Sequence, residues 1–268
     1  LDFFNPRDQQ GFLRSLMIRN TKSESFMVLI QFYKEIKAQR EALLDHIKNH
    51  FDIASLLYCI NGKANDTLYD QEIVCYDGKT FIEEEMEGLH FKINAKSFFQ
   101  TNSEQAYELY KIVRDFAGLK GDELVYDLYT GTGTIAQFIA KDCKKVVGLE
   151  SVPEAIEAAQ MNAEDNGIKN ALFEVGDTRK VFNQEFINRH GKADVVITDP
   201  PRNGMHPAVI KQLLFLQPKR ICYVSCNHAT QARDLFLMKD QYKLDRSKAI
   251  DMFPQTQHVE NVVLLKKI

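Results

Sequence analysis

Hydrophobic and polar positions follow one pattern up to about residue 93 and a different pattern after it. Before that point the apolar run 26–32 is a predicted strand, and residues 33–50 place Ile36, Leu43 and Ile47 on one face of a predicted helix. Further short strands are predicted at 53–60, 68–76, 80–84 and 90–95. This pattern indicates a small α+β domain over residues 1–93.

From residue 94 onward, apolar strands alternate with helices. One helix is capped by Asn102 or Ser103, another begins with the capping box Ser151-Val152-Pro153-Glu154, and a third begins at Pro207. The strands between the helices are predicted at 123–128, 145–149, 171–175, 193–198 and 220–225. Such alternation favours a parallel sheet with helices on both faces, and two late runs are predicted to form an antiparallel pair at one edge, 242–250 and 259–266. Residues 94–268 therefore read as an α/β, Rossmann-like domain.

Composition excludes several classes of protein. The chain has 268 residues, 44% hydrophobic and 26% charged, and no apolar run approaches the roughly 20 residues that a membrane span needs. We therefore expect a cytoplasmic protein without membrane contact. The net charge of −3 excludes a uniformly basic nucleic-acid binder but allows a local basic groove. The first residue is Leu1 rather than Met, so the first domain is expected to be truncated.

Cysteine spacing argues against a metal centre. Five cysteines occur, and none forms a C-x-x-C pair. We therefore expect no disulfide framework, no zinc site and no iron–sulfur cluster in this chain.

A nucleotide pocket is predicted where the first strand of the second domain ends. The strand runs into Asp127 and a turn that contains Gly131 and Gly133, and glycines let the backbone turn sharply and approach a ligand. Glu150 lies nineteen residues past Gly131, at the end of the next strand, where a carboxylate can accept hydrogen bonds from both ribose hydroxyls. Asp177 ends the third strand and is expected to face an adenine edge.

The pocket alone does not decide which nucleotide binds. Gly131-x-Gly133-x-x-Ala136 fits a dinucleotide fingerprint, so a nicotinamide enzyme is a fair rival. A dinucleotide needs free amides at a helix N-terminus for its pyrophosphate. S-adenosylmethionine has no phosphate, and its sulfonium prefers carboxylates and carbonyls. Asp127 and Glu150 suit either cofactor.

Three further clusters fall at or near strand ends, where open α/β sheets place their chemistry. The first is Asp199-Pro200-Pro201-Arg202-Asn203-Gly204, in which two prolines hold Asp199 and Arg202 in a rigid turn. The second is Ser225-Cys226-Asn227, and because a helix is predicted to begin near Ala229, we expect a lowered thiol pKa at Cys226. Cys222, inside the strand, is predicted to be core. The third cluster contains Glu260, at the start of the last strand.

These clusters carry a resemblance to a known family. Their order and spacing over about residues 98–268 resemble the S-adenosylmethionine-dependent RNA uracil-5-methyltransferases, which implies a class I methyltransferase sheet. The matching strings are Phe98-Phe99-Gln100-Thr101-Asn102, the glycine turn 127–133, the proline turn 199–204, Ser225-Cys226-Asn227 and residues 251–260. Gly11-Phe12-Leu13-Arg14 and Ile18-Arg19 resemble, more weakly, the RNA-contacting central domain of the ribosomal-RNA branch.

The resemblance implies an enzyme that methylates carbon 5 of a specific uridine in RNA, with 23S ribosomal RNA as the expected substrate. Cys226 would add to carbon 6 of the uracil ring, and Glu260 would later remove the proton from carbon 5. Gln100 and Asp199 would hold the pyrimidine edge and the neighbouring cofactor, and Arg202 would steady the enolate charge or a phosphate.

The resemblance also implies the contacts of the cofactor. The side chains and glycines expected to touch S-adenosylmethionine are Gln100, Tyr129, Gly131, Gly133, Thr134, Glu150, Asp177 and Asp199. The family often has Cys at position 130 and Asn at position 134, where this chain has Thr, so a side-chain role for Thr134 stays open. His228 replaces a usual proline, a change that returns one backbone N–H.

Four alternatives remain at this point. One is a transfer-RNA uracil-5-methyltransferase. Another is a methyltransferase acting on a base amino group; such enzymes usually have an aromatic residue after their Pro-Pro pair, where this chain has Arg202. The third is the nicotinamide enzyme, and the fourth is an RNA-binding or assembly module with a vestigial pocket.

Overall fold

The alternation of strands and helices after residue 102 folds as a mixed sheet in the computed structural model, which describes Leu1–Ile268. The chain divides into two compact units, Leu1–Thr101 and Asn102–Ile268. The predicted boundary at 93/94 lies slightly earlier, and the roles assigned to the two parts stay predictions.

The first unit is a small α+β structure. Its elements are β1 (Leu13–Asn20), β2 (Phe26–Phe32), α1 (Lys37–His50), β3 (Ser55–Ile60), β4 (Val74–Gly78), β5 (Phe81–Met86) and β6 (Leu89–Asn94). Four of the strands form a sheet in the order β1-β2-β3-β4, and β5 and β6 form a separate hairpin. Helix α1 is the crossover that joins the parallel strands β2 and β3. Strand β1 was not predicted.

Alternation along β2 explains the core of this unit. Val28 and Ile30 belong to a cluster that includes Leu44 of α1, whereas Met27 and Leu29 belong to a cluster that includes Ile82 of the hairpin. Because successive side chains of a strand point to opposite faces, one apolar strand supplies both clusters.

The second unit is an α/β structure built on one seven-stranded sheet. The strands are β7 (Leu124–Leu128), β8 (Lys145–Glu150), β9 (Ala171–Val175), β10 (Val195–Thr198), β11 (Arg220–Ser225), β12 (Tyr242–Ile250) and β13 (Glu260–Lys267). Their order across the sheet is β12-β13-β11-β10-β7-β8-β9. Strands β7 to β11 are parallel, and β12 and β13 form an antiparallel pair at one edge, as predicted. When β7 to β11 are numbered 1 to 5 along the chain, they lie across the sheet in the order 3-2-1-4-5, which is that of a doubly wound fold.

Helices cover both faces of this sheet. The helices are α2 (Ser103–Ala117), α3 (Thr134–Ala140), α4 (Pro153–Asp165), α5 (Thr178–Val181), α6 (Gln184–His190), α7 (Pro207–Leu216) and α8 (His228–Met238). The Tyr126 side chain packs with Phe182 and Phe186 on one face of the sheet. The carboxylate of the next residue, Asp127, accepts a hydrogen bond from the backbone of α3 on the other face. The short helices α5 and α6 were not predicted. No helix combines the length and the apolar character that crossing a bilayer requires.

Candidate active site

The turn after β7 is built around a buried carboxylate. Asp127 is 1% exposed, and its Oδ2 accepts a hydrogen bond from the Thr130 hydroxyl at 2.5 Å. Burial raises the pKa of Asp127 to about 7, with a smaller contribution from the charge of Glu150. The carboxylate also accepts from the backbone N–H of Ala136, so it occupies an amide at the start of α3 that a phosphate would otherwise use.

The two glycines of this turn are required for different reasons. Gly131 has φ +55° and open space where a Cβ would lie, so glycine is required there for its left-handed backbone conformation rather than for its small size. Gly133 has φ +74°, and a Cβ there would lie 2.6 Å from the Phe173 ring. The close packing of α3 on the sheet therefore depends on Gly133. Tyr129 also has positive φ, at 64°, which is uncommon for a bulky residue and marks local strain.

Glu150 joins the glycine turn to the start of the next helix. Its Oε2 accepts from the Gly131 N–H at 3.2 Å, and its Oε1 accepts from the N–H and the hydroxyl of Ser151 at 2.6 and 2.9 Å. The side chain thus lies beside the glycine turn, as the sequence predicted. Its contact with a ribose stays a prediction.

Asp177 is paired within the chain. It caps α5, and its carboxylate accepts three hydrogen bonds from the Arg179 guanidinium, which holds the pKa of Asp177 at about 2. Burial, followed by the charge of Asp177, raises the pKa of the Tyr129 phenol to about 12. Asp177 and Tyr129 therefore sit at the same end of the sheet, and the adenine contact predicted for Asp177 stays a prediction.

The sequence analysis missed Tyr110 of α2. Tyr110 is 4% exposed, and its hydroxyl pairs with the hydroxyl of Thr134. Burial raises the pKa of Tyr110, and the charges of Asp199 and Asp127 add to the shift. The phenol therefore belongs to the pocket. Tyr110 lies about one helical turn after Ala106, which α2 also buries, and this spacing was a usable signal because a buried tyrosine hydroxyl usually needs a polar partner.

Strand register brings Cys226 and Glu260 together. Ser225, the last residue of β11, pairs with Asn261 of the antiparallel strand β13. One step further, Cys226 leaves β11 beside Glu260, the first residue of β13. Asp199 follows the neighbouring strand β10, at the same edge of the sheet. Glu260 is 8% exposed and Cys226 half-buried, so both lie at the edge of a protected site.

Charged groups inside this site shift one another's pKa values. Burial raises the pKa of Glu260, and the guanidinium of Arg202 opposes that shift. Burial also raises the pKa of Asp199 well above its usual range, with further contributions from Glu260 and Asp127. The pocket thus concentrates carboxylates in a desolvated space, where a bound cation relieves their mutual repulsion.

The expected low pKa of Cys226 is wrong. Burial raises the pKa of the thiol, and the negative charges of Glu260 and Asp199 raise it further. Arg202 and a backbone hydrogen bond act in the opposite direction but do not prevail. Because carboxylates surround the sulfur, the effect of the nearby helix is outweighed. Cys222 is fully buried in β11, as predicted.

Helix α8 holds the proline turn. The Asn227 amide and the Thr230 hydroxyl both donate to the carbonyl of Arg202, each at 3.1 Å. Asp234, which is fully buried, accepts from the Met205 N–H at 2.7 Å and from the Tyr223 hydroxyl at 2.9 Å. The backbone that carries Arg202 is therefore fixed at both ends by one helix.

Gln100 lies in the first compact unit, half-buried near its end. Within that unit, Arg19 donates to the carbonyls of Asn94 at 3.3 Å and Ser97 at 2.7 Å. These bonds fix the backbone that leads to Gln100. The roles predicted for Gln100 toward base and cofactor stay predictions.

Comparison with known proteins supports the resemblance. A family profile described as tRNA (Uracil-5-)-methyltransferase matches residues 15–268. An uncharacterized RNA methyltransferase of Porphyromonas gingivalis is 59% identical over 98% of this chain and 57% of its own length. One of Caldanaerobacter subterraneus is 38% identical over all of this chain and 60% of its own length. The chain therefore spans about three-fifths of these relatives.

Solved structures agree with this result. The Pyrococcus abyssi tRNA (uracil-54, C5)-methyltransferase in complex with S-adenosyl-L-homocysteine has a TM-score of 0.82 and 37% identity, over 97% of this chain and 61% of that protein. A tRNA m1G37 methyltransferase of M. jannaschii has a TM-score of 0.57 and 16% identity over 98% of this chain and 78% of that protein, and shows the fold alone. The sheet is thus that of a class I methyltransferase, and the chain belongs to the tRNA (uracil-5-)-methyltransferase family.

Proposed function

We propose that this chain carries the catalytic machinery of an RNA methyltransferase that transfers a methyl group to carbon 5 of a uridine through a covalent bond between Cys226 and carbon 6. The observation that carries the proposal is the meeting of a thiol and a carboxylate, Cys226 and Glu260, close to the carboxyl group of Asp199. A methyltransferase acting on a base amino group needs neither of them.

The charge of the pocket favours S-adenosylmethionine over a dinucleotide. Asp127 occupies an amide at the start of α3, and Asp127 and Asp199 both have raised pKa values. A pyrophosphate would add negative charge to this space, whereas a sulfonium and an ammonium would supply the missing positive charge. The chemistry supplied by S-adenosylmethionine, when bound, is an electrophilic methyl group. The residues proposed to hold it are Gln100, Tyr129, Gly131, Gly133, Thr134, Glu150, Asp177 and Asp199.

The chain's own residues then have separate tasks. The Cys226 thiol, whose pKa is raised, first gives its proton to solvent. The thiolate sulfur then adds to carbon 6, and the electron pair of the C5=C6 double bond moves onto carbon 5 and the adjoining carbonyl. Arg202 steadies that negative charge, and Gln100 and Asp199 hold the pyrimidine edge.

The second half of the reaction belongs to Glu260. Once carbon 5 has taken the methyl group, the Glu260 carboxylate removes its proton, and the freed electron pair restores the C5=C6 bond. The bond between carbon 6 and Cys226 breaks, and the sulfur leaves as thiolate. Burial raises the pKa of Glu260, which makes its carboxylate a stronger base.

The proposed RNA is ribosomal, in keeping with the resemblance of the first unit. Transfer RNA is the second candidate, favoured by the substrate named for the Pyrococcus abyssi structure. Deleting the gene and mapping 5-methyluridine in both RNA fractions by mass spectrometry tests the choice. Loss of one 5-methyluridine from 23S ribosomal RNA is expected. Loss from transfer RNA instead would overturn the ribosomal assignment, and no loss from either would oppose the proposed reaction.

Arg202 is expected to set the pH range of the reaction. Its positive charge lowers the pKa of both Cys226 and Glu260, so Arg202→Gln raises both values. Both groups act in their deprotonated forms, so the acidic limb of the pH profile of kcat/KM should move to higher pH in Arg202→Gln, and the exposure of Arg202 to solvent keeps this shift modest. Arg202→Lys is the matched control and should keep the acidic limb near its wild-type position. An unchanged acidic limb in Arg202→Gln would contradict this role.

Asp127 is expected to destabilise the protein without cofactor at neutral pH. Its folded pKa of about 7 lies above the usual 3.8, so its contribution to stability is complete below pH 3.8 and is lost as the pH rises through 7. Asp127→Asn should abolish this loss, which amounts to about 2 to 3 kcal/mol between pH 5 and pH 7. Urea unfolding at both pH values measures it, with the exposed Asp122→Asn as control. An equal pH dependence in wild type and Asp127→Asn would oppose the assignment.

A further inference from the structure

We infer that Gln231 of α8 is a positioning residue that fixes Glu260 relative to Cys226, and that its loss slows removal of the carbon 5 proton more than formation of the covalent bond. The inference rests on the proposed function and adds to it a residue to which the mechanism gave no part. Gln231 touches neither Cys226 nor Glu260 by a hydrogen bond; it acts through the strands that carry them.

Gln231 joins the two strands at the end where the reactive residues emerge. Its side chain is 2% exposed, and Nε2 donates to the carbonyl of Tyr223 in β11 at 2.9 Å and to the carbonyl of Asn261 in β13 at 3.2 Å. Its Oε1 accepts from Asn261 Nδ2 at 2.6 Å. Both ends of the amide are therefore used, and two of its three bonds go to the residue next to Glu260.

The network continues to the edge of the sheet. Asn261 Oδ1 accepts a hydrogen bond from the Ser247 hydroxyl of β12 at 3.1 Å. Glu260 pairs with Ile250, the last residue of β12, and the next residue, Asn261, pairs with Ser225, the last residue of β11. The backbone pairing of β13 with both neighbouring strands therefore ends at Glu260 and Asn261. A strand end has little backbone pairing to hold it, and side-chain bonds to Asn261 supply that restraint.

Packing alone does not explain a buried amide at this position. Transferring an amide from water into the interior is unfavourable unless its hydrogen bonds are satisfied, and an apolar side chain of similar volume fills the same space without that requirement. The satisfied bonds of Gln231 instead select one arrangement of β11 and β13. Specificity of geometry, rather than added stability, is thus what this side chain contributes.

Cys226 has separate support. Ser225 Oγ donates to the Asn227 carbonyl at 3.0 Å and accepts from the Asn227 N–H at 3.1 Å, which closes the turn around Cys226 without Gln231. Loss of Gln231 therefore frees Glu260 more than it frees the sulfur. The two steps of the reaction should respond differently.

The test uses Gln231→Met, which keeps the volume and removes the hydrogen bonds. The full-length protein is given in vitro transcripts of 23S ribosomal RNA and of transfer RNA, each made with uridine or with 5-deuterated uridine. We expect kcat to fall about 10- to 100-fold, as for a small misplacement of a reacting group. The methylated covalent protein–RNA complex should accumulate at steady state, and turnover should show a larger deuterium isotope effect than wild type.

Gln241→Met is the matched control, because Gln241 accepts from the Gln217 amide at 3.2 Å at the opposite end of the sheet. It should leave kcat and the isotope effect unchanged. Circular dichroism and thermal melting check that Gln231→Met folds. If Gln231→Met lowers covalent complex and turnover equally, with an unchanged isotope effect, the residue is only structural and the inference fails. Wild-type kinetics in Gln231→Met would also overturn it. Failure of the proposed function would look different, because wild type itself would then form neither product nor complex.

Discussion

Replacing Cys226 with alanine is expected to abolish 5-methyluridine formation, with a fall in kcat of about 10⁴-fold or more. Carbon 5 of uracil is too weak a nucleophile to accept a methyl group unless carbon 6 has first received an electron pair from sulfur. Cys226 is half-buried beside Glu260 and Asp199, and alanine leaves the rest of the pocket in place. Methyl transfer from radiolabelled S-adenosylmethionine into RNA measures the loss.

Cys222→Ala is the matched control for this experiment. Cys222 is fully buried in β11, four residues earlier, and burial raises its pKa to about 12, so it has no part in nucleophilic chemistry. Its loss costs some stability but should leave kcat within a few-fold of wild type. Calorimetry should show that Cys226→Ala still binds S-adenosylmethionine. Full turnover by Cys226→Ala would mean that another route delivers the methyl group.

Replacing Glu260 with glutamine is expected to stop the reaction after methylation. Glutamine preserves the shape of the side chain but cannot take up the carbon 5 proton, so turnover should fall about 10²- to 10⁴-fold. The methylated base should then remain attached to Cys226, and a protein–RNA complex stable to denaturation should accumulate. Intact-mass spectrometry detects the complex and the added methyl group.

The double variant Cys226→Ala/Glu260→Gln serves as the control and should form no such complex. If Glu260→Gln turns over at the wild-type rate, another group removes the proton. If it forms no complex but releases no product either, Glu260 acts before the methyl group is transferred.

Much of the fold followed from periodic patterns, and the exceptions have physical reasons. The central strands β7, β8, β10 and β11 are mostly buried and largely apolar, and Pro207 marks the start of α7 as expected. Strand β1 escaped prediction because Leu16 and Ile18 are exposed, so no clean alternation marks it. Helices α5 and α6 have four and seven residues, too few to show a helical period.

The site was harder to predict than the fold, because its properties depend on contacts between distant segments. Cys226 was singled out after a strand end and Glu260 at a strand start, with their roles implied by the family resemblance, but the pKa of the thiol depends on carboxylates that only the folded sheet brings near it. Tyr110 was missed because its hydroxyl partner, Thr134, belongs to a different helix. The pairing of Gln231 with Asn261 joins residues thirty positions apart, and no local pattern reports such a bond.

A trapping experiment with RNA containing 5-fluorouridine tests the account most directly. Fluorine at carbon 5 cannot leave as a proton does, so after methylation the base stays bonded to the sulfur. The full-length protein with S-adenosylmethionine is expected to give a denaturation-resistant complex, and peptide mapping should find one methylated nucleotide on Cys226. A complex formed through a different residue, or methylated fluorouridine released with no covalent complex, would contradict the central claim that the Cys226 sulfur adds to the ring.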